Sequence, residues 1–295
     1  MDITILDNPS ASNLVLETLK RHLPYSVPTL RRLQFMNHSG GRATLNSHVL
    51  STFDTCSPGN DFLIAFLDLS LGPNTEMWLY SSLENQITPG DPRICEAQLL
   101  ALLARVRQIN ETYTSERVFP ESILVGSLHM SVLEIFRKHG LATAEYSFDS
   151  EHYKFIFNVE DLPVGRELPV ELHWSTVRWE DIPLVLSRTN IPYTTAMFKP
   201  LPSVAIATST GRPVAWGFLG PDGSLKALHC EEEYRGQGFA KAVSLKLFRE
   251  NAETLVKDRL FHADVATYNL QSQGVCKSLK GTIRWSCCWA EISVI

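Results

Sequence analysis

Residues 225–240, reading Leu-Lys-Ala-Leu-His-Cys-Glu-Glu-Glu-Tyr-Arg-Gly-Gln-Gly-Phe-Ala, constrain this chain more than any other stretch. A short apolar, strand-like piece runs into a glycine turn, Arg235-Gly236-Gln237-Gly238. A helical pattern follows at once, with Phe239, Val243, Leu247 and Phe248 at helical spacing. Strand, glycine turn and helix start in succession form a phosphate cradle. Unpaired amides point out of the helix N-terminus, and the macrodipole places partial positive charge there. The glycines let a phosphate approach the backbone where a β-carbon would otherwise stand, and Arg235 adds a fork of donors. A glycine turn before a helix is often only a turn, so the rest of the chain decides its meaning.

With 295 residues the chain has room for about two domains of ordinary size. Hydrophobic residues make up 44 % and charged residues 20 %, the balance of a soluble globular protein. A net charge of −5 argues against a nucleic-acid partner, which needs a basic face to displace counterions. No apolar run reaches the length of a membrane span. The first residues, Met1-Asp-Ile-Thr-Ile-Leu-Asp, carry neither a basic n-region nor an Arg/Ser-rich amphipathic segment. The expected compartment is therefore the cytoplasm, with the mitochondrial matrix as second choice. Six cysteines, Cys56, Cys95, Cys230, Cys276, Cys287 and Cys288, lack C-x-x-C spacing and read as reduced, mostly buried thiols. No metal is expected.

The pattern along the chain alternates strands and helices in both halves, which predicts an α/β unit in each. A helix is expected over 13–22 and another over 94–109, with Leu99, Leu100, Leu103 and Val106 on one side. Strands are expected over 61–71 and 76–83 around the Gly72-Pro73-Asn74 turn, and a hairpin over 141–148 and 153–157. Residues 159–169, with two prolines and a glycine, break any period and are read as a linker. The expected division is a domain over 1–160 and a second over 170–295. In the second half, 204–208, 214–219 and 225–229 form a three-strand meander. The glycine turn and helix 239–256 come next, then a strand over 260–266, a short helix over 269–279 and a last strand over 282–292.

That order of elements, with Arg235-x-x-Gly238-x-Ala240 between a meander strand and a helix, resembles the GNAT superfamily of acyl-CoA-dependent N-acyltransferases. The superfamily's coenzyme motif is Q/R-x-x-G-x-G/A, and its next signature, an Asn opening the helix after the fifth strand, is matched by Asn269. Within the superfamily the chain is similar to the glycine N-acyltransferases. The similarity lies in Gly211-Arg-Pro-Val-Ala-Trp216, Glu233-Tyr234-Arg235, Phe261-His262-Ala263-Asp264-Val265, Trp285 and Trp289. The match is specific over about 204–292 and only topological before Pro169.

The resemblance implies a mixed, mostly antiparallel sheet flanked by helices, in two tandem GNAT-like halves of which the first is degenerate. It implies acetyl-CoA or another acyl-CoA as cosubstrate and no metal. The acyl group would pass to the amine of a small molecule or amino acid by direct attack in a ternary complex, with no nucleic-acid or membrane partner, in a monomer or homodimer. Coenzyme binding falls to Leu228, His229 and Cys230 on the fourth strand, to Arg235, Gly236, Gln237, Gly238, Phe239 and Ala240 in the loop, and to Asn269 and Ser272 at the last helix.

Two positions depart from the family pattern. Ser224 stands where the glycine N-acyltransferases carry a glutamate taken as general base, and Cys276 where many GNAT enzymes carry a tyrosine acid. His229 is then the candidate base, since its ordinary pKa lies near the operating range; the alternative is a strand histidine bonded to a neighbour. The run Glu231–Glu233, with Glu233 the member tied to the family motif, is either a source of the base or a solvated loop. Cys276 either reprotonates the leaving thiolate or packs in the core. Alternation puts His262 and Asp264 on one face of their strand, lining the cleft or forming a buried pair. Asn269 holds coenzyme amides, caps the helix, or does both. Of Trp174, Trp179, Trp216, Trp285 and Trp289, most are expected in the core and one or two at the acceptor site. With the usual Glu and Tyr missing, the alternative function is a catalytically inactive acyl-CoA-binding module or scaffold.

Overall fold

The computed structural model describes residues 3–37, 43–53, 58–142 and 151–295. Cys56 and most of the 141–148 arm of the expected hairpin lie outside them. The chain forms two compact units, residues 1–152 with 285–295, and residues 153–284. The division runs ahead of the 159–169 segment, which lies inside the second unit, and the final stretch returns to the first.

The first unit begins with β1 (Leu6–Asn8), α1 (Asn13–Arg21), α2 (Val27–Met36), β2 (Ser47–Ser51), β3 (Leu63–Asp68) and β4 (Met77–Ser81). It continues through α3 (Pro92–Thr112), β5 (Ser122–His129) and α4 (Met130–Lys138). The second unit contains β6 (His152–Asn158, from Tyr153 on), β7 (Leu172–Ser175), α5 (Ile182–Ser187), α6 (Thr195–Phe198), β8 (Ser203–Thr208) and β9 (Pro213–Leu219). Then come β10 (Leu225–Cys230), α7 (Phe239–Ala252), β11 (Leu260–Ala266) and α8 (Leu270–Ser278). The last strand, β12 (Thr282–Ser293), belongs to the first unit from Trp285 onward.

In the first unit the strands run β1-β2-β3-β4-β5-β12, antiparallel except for β4 and β5. That parallel pair meets at Met77 and Val125. In the second unit β7, β8, β9 and β10 form an antiparallel meander, while β11 pairs with β6. Both arrangements are mixed α/β with a mostly antiparallel sheet and flanking helices. Each unit has its own apolar core. Leu99, Leu102, Leu103 and Val106 of α3 pack over β3 to β5 in the first. Val243, Leu247 and Phe248 of α7 pack with Phe157 and Phe261 in the second. The helical spacing from Phe239 onward thus marks a buried face, and Phe248 stacks on Phe261 at 4.6 Å. Helix α2 has no counterpart in the sequence reading, because Arg31 and Arg32 interrupt its apolar period. Both are buried, and the Arg32 guanidinium lies 3.7 Å from the centre of the Phe66 ring.

Candidate acyl-coenzyme A site

Strand β10 forms the free edge of the meander. Its register against β9 pairs Lys226 with Phe218 and His229 with Trp216, three steps on β10 for two on β9. Ala227, at φ +49°, absorbs the extra residue in a β-bulge. Among the described residues β10 bridges β11 only at Ser224 and His262. Beyond that apex the outer backbone groups of β10 have no ladder partner among the described residues and can receive an extended ligand as an added strand.

The strand leads into the glycine turn. Gly236 and Gly238 take φ +75° and +80°, the left-handed region where a side chain is strained. Gly238 caps α7 without any side-chain acceptor, so the first-turn amides stay available to an outside anion. Arg235 ties its Nε to the Cys230 carbonyl at 3.1 Å, which positions its guanidinium on the strand side of the loop. A second arginine joins from the proline-rich segment. Arg166 donates to the Gln237 carbonyl and lies 5.6 Å from the centre of the Phe239 ring. Nothing in the sequence singles Arg166 out, since it lies far from the motif in a stretch without period.

On the bulge side, His229 stacks on Trp216 with ring centres 4.7 Å apart. Its Nε2 lies 3.6 Å from Glu231 Oε2. Glu231 is buried and accepts from Arg188 Nε and Nη2 at 3.1–3.2 Å. Burial pushes the His229 pKa below its ordinary value; Glu231 works against that shift, while Arg235 and Arg188 add to it. Burial also opposes the charge on Glu231, yet Arg188 and then His229 hold its carboxyl below the usual range. The arrangement is a neutral imidazole beside a firmly ionised carboxylate, a pair suited to accepting a proton and stabilising the imidazolium formed. Glu233 sits differently: it is exposed, with Arg212 3.9 Å away. The acidic run therefore divides into one buried member, Glu231, and a solvated Glu233, a distinction that three consecutive glutamates do not reveal.

The apex is a buried polar cluster. Asp222 Oδ1 accepts from the Ser224 amide at 3.2 Å and from its hydroxyl at 2.6 Å. His262 Nε2 lies 2.8 Å from the Asp222 carbonyl, and Nδ1 lies 3.1 Å from Lys154 Nζ. Burial, with the Lys154 ammonium, drives the His262 pKa down to about 4. The ring is thus neutral, with Nε2–H donating to the carbonyl and Nδ1 accepting from the ammonium. Lys154 also pairs with Asp264. His262 and Asp264 thus lie on one face, as alternation predicts, and both meet Lys154. Cys276 is 2 % exposed within the same core, and burial, then Asp264, pushes its thiol up to about 12. It occupies the place of a packed core cysteine, not of a proton donor. Asn269 caps α8, its Oδ1 accepting the Ser272 amide at 3.0 Å. Leu228 and Cys230 lie on the bulged strand, and Phe239 is buried at the start of α7.

The solved structures similar to this one share its fold at low identity. A Drosophila protein solved by a structural genomics consortium superposes with a TM-score of 0.68 at 15 % identity, covering 100 % of this chain and 99 % of its own. A tandem GNAT protein from the clavulanic acid biosynthesis pathway matches with a TM-score of 0.54 at 12 % identity over 99 % of each chain. A GCN5-related N-acetyltransferase from Sphaerobacter thermophilus matches with a TM-score of 0.53 at 11 % identity, covering 98 % of this chain and 96 % of its own. No curated protein matches by sequence. The profile of the acyl-CoA N-acyltransferase verG N-terminal domain matches residues 2–155, just over half of the chain. The fold is that of a GNAT-type acyl-CoA N-acyltransferase, and the chain belongs to the verG N-terminal domain family.

Proposed function

We propose that the second unit transfers an acyl group from acyl-coenzyme A to the amine of a small molecule or amino acid by direct attack in a ternary complex. The observation that carries this reading is the free, bulged edge of β10 running without interruption into Gly236, Gly238 and the uncapped start of α7. The main chain of β10 would hold pantetheine, and the loop amides with Arg235 and Arg166 would hold the pyrophosphate. The acyl-CoA supplies the activated thioester. Amides freed by the bulge favour the negative charge that develops on its carbonyl oxygen.

His229 takes a proton from the acceptor ammonium, and Glu231 stabilises the imidazolium. The neutral amine then attacks; the N–C bond forms, the C–S bond breaks, the electron pair leaves with sulfur, and the proton shed by the new amide nitrogen passes to the departing thiolate. Asn269 retains its side-chain N–H groups for coenzyme amides while its oxygen caps α8.

A thiol-release assay of the full chain with acetyl-CoA and longer acyl-CoAs across a panel of amines tests the reading, with a rise in melting temperature as the binding control. Turnover with an amine is expected. One observation favours a second reading: the apex position is the hydrogen-bonded Ser224, and the last-helix position is the buried Cys276. A module that binds acyl-CoA without turnover would give the temperature rise and no thiol. Absence of both results defeats both readings.

A further inference from the structure

On the face of β9 that carries Trp216, the second unit holds a pocket of about 240 Å³. Its walls are Val177, Trp179, Ile182, Phe198 and Phe218, and Lys199 stands among them. Phe218 lies two residues along the strand from Trp216, so the pocket floor is roughly 7 Å from the position paired with His229. The aromatic wall continues outward: Phe198 contacts Phe218 at 4.7 Å, and Tyr193 meets Phe198 edge-on at 5.4 Å. Ser203 also lines the pocket, its hydroxyl oxygen already accepting the Val177 amide at 3.1 Å. Lys199 has no hydrogen-bond or ion-pair partner among the described residues, unlike Arg178 nearby, which is paired with Asp181.

Three features limit the occupant. The volume lies below the range of about 300–1,000 Å³ typical for drug-sized ligands, and it suits the side chain of one amino acid. The walls are apolar and aromatic, so the group they hold is too. Lys199, an exposed ammonium at the rim of the lining, is placed to meet an anion on the same ligand. A fatty acyl tail has no such anion, and glycine has nothing to fill the pocket.

We infer that this pocket is the acceptor subsite, and that the acceptor is an α-amino acid with a large apolar or aromatic side chain. The side chain rests on Phe218 and Phe198, the carboxylate meets Lys199, and the amine reaches back to His229. The inference rests on the acyl-transfer reading above for the role of the amine, but the recognition it describes can be measured without turnover.

The test is calorimetric titration of the full chain, saturated with coenzyme A, with L-phenylalanine, L-leucine, L-phenylalaninamide and glycine. Phenylalanine and leucine are expected to bind. The amide, lacking the carboxylate, is expected to bind about two- to fivefold weaker, the scale of an ion pair to an exposed lysine. Lys199→Ala, at an exposed position, should weaken phenylalanine by the same factor and leave the amide unchanged. Val177→Trp should fill the pocket and block both.

The inference is overturned if glycine binds as well as phenylalanine, if Lys199→Ala leaves the preference for the carboxylate intact, or if none of the four binds. It is also overturned if Val177→Trp alters only the acyl-chain preference in the thiol-release assay, which would make the pocket an acyl site. Should phenylalanine bind as described while coenzyme A gives no thermal shift, the transfer reading fails and the amino-acid site stands.

Discussion

In the second unit α7 starts on Gly238, with no side chain over its open amides. In the first unit α3, which likewise follows a strand at the parallel junction, starts on Asp91. The Asp91 carboxylate accepts the Arg93 amide at 2.8 Å, and Pro92 removes a further donor from the first turn. The Asp91 amide is itself bound to Asp61 Oδ1 at 2.6 Å. Two carboxylates thus stand where a phosphate would need positive potential. The parallel junctions differ as well. Between β4 and β5 the Glu76 side chain accepts the Leu124 amide at 3.0 Å and pairs with Arg117 at 2.9 Å. Between β10 and β11 the join is Ser224 and His262 over a buried cluster. One strand-and-helix plan therefore serves a closed helix start in one unit and an open one in the other, and the difference lies in a few loop residues.

The largest effect expected from this contrast is in coenzyme stoichiometry. Titration of the full chain should give one coenzyme A site, and Gly238→Trp should remove it. At about 100 times Kd, binding stabilises by about 2.7 kcal/mol, so the variant should lose the whole rise in melting temperature while its unliganded value confirms folding. A second site, or a rise that survives the substitution, breaks the contrast.

Next in size is catalysis. His229→Gln should lower kcat/KM by about a hundredfold or more with little change in coenzyme affinity. In the parent protein the acid limb of the kcat/KM profile should fall below pH 6.5, because the base works only when neutral and its pKa is lowered. Glu231→Gln removes the charge that favours the imidazolium, so the limb should move to still lower pH. A shift upward would refute the pairing.

A smaller contrast concerns acid stability. A histidine whose folded pKa is depressed contributes stability that is present above its unfolded value and lost as pH falls toward the folded one. For His262 that window runs from about 6.5 down to about 4. In the first unit burial raises the Glu76 pKa, against the pull of Leu124 and Arg117. A raised carboxyl contributes stability that is present below its unfolded pKa and lost as pH rises, so that junction does not weaken on acidification. Hydrogen exchange at pH 5 should therefore open β10 and β11 before β4 and β5, and His262→Gln should flatten the loss. The reverse order would show that the apex cluster does not govern the acid response. Smallest is Arg166→Ala, an exposed cation whose loss should weaken coenzyme A by about two- to fivefold, less at high salt. An effect insensitive to salt would mean that Arg166 acts by shaping the loop.

The helix from Phe239 and the glycine turn were legible because periodicity and left-handed glycines are local properties. The extent of α3 was legible in the same way, though its buried face takes Leu102 and leaves the expected Leu100 only partly buried. Helix α2 was not, since buried Arg31 and Arg32 read as surface until Phe66 is seen beneath one of them. The choice of Glu231 over Glu233 depends on a bulge and a 3-10 turn that set which carboxylate meets Arg188. Arg166 and Arg188 reach the site by long-range contact and leave no local trace. The pairing of β12 with β5, from Ser122 with Ser293 to His129 with Cys287, is equally non-local.

That last pairing has a consequence for how the molecule is made. The first unit needs residues 285–295, yet 153–284 intervene as a contiguous body. During synthesis the first unit waits with the β5 edge open for a strand made more than a hundred residues later. Such distant closure is slow and leaves an exposed edge in the interval. The half of the chain translated first thus cannot close its sheet until the last strand is made.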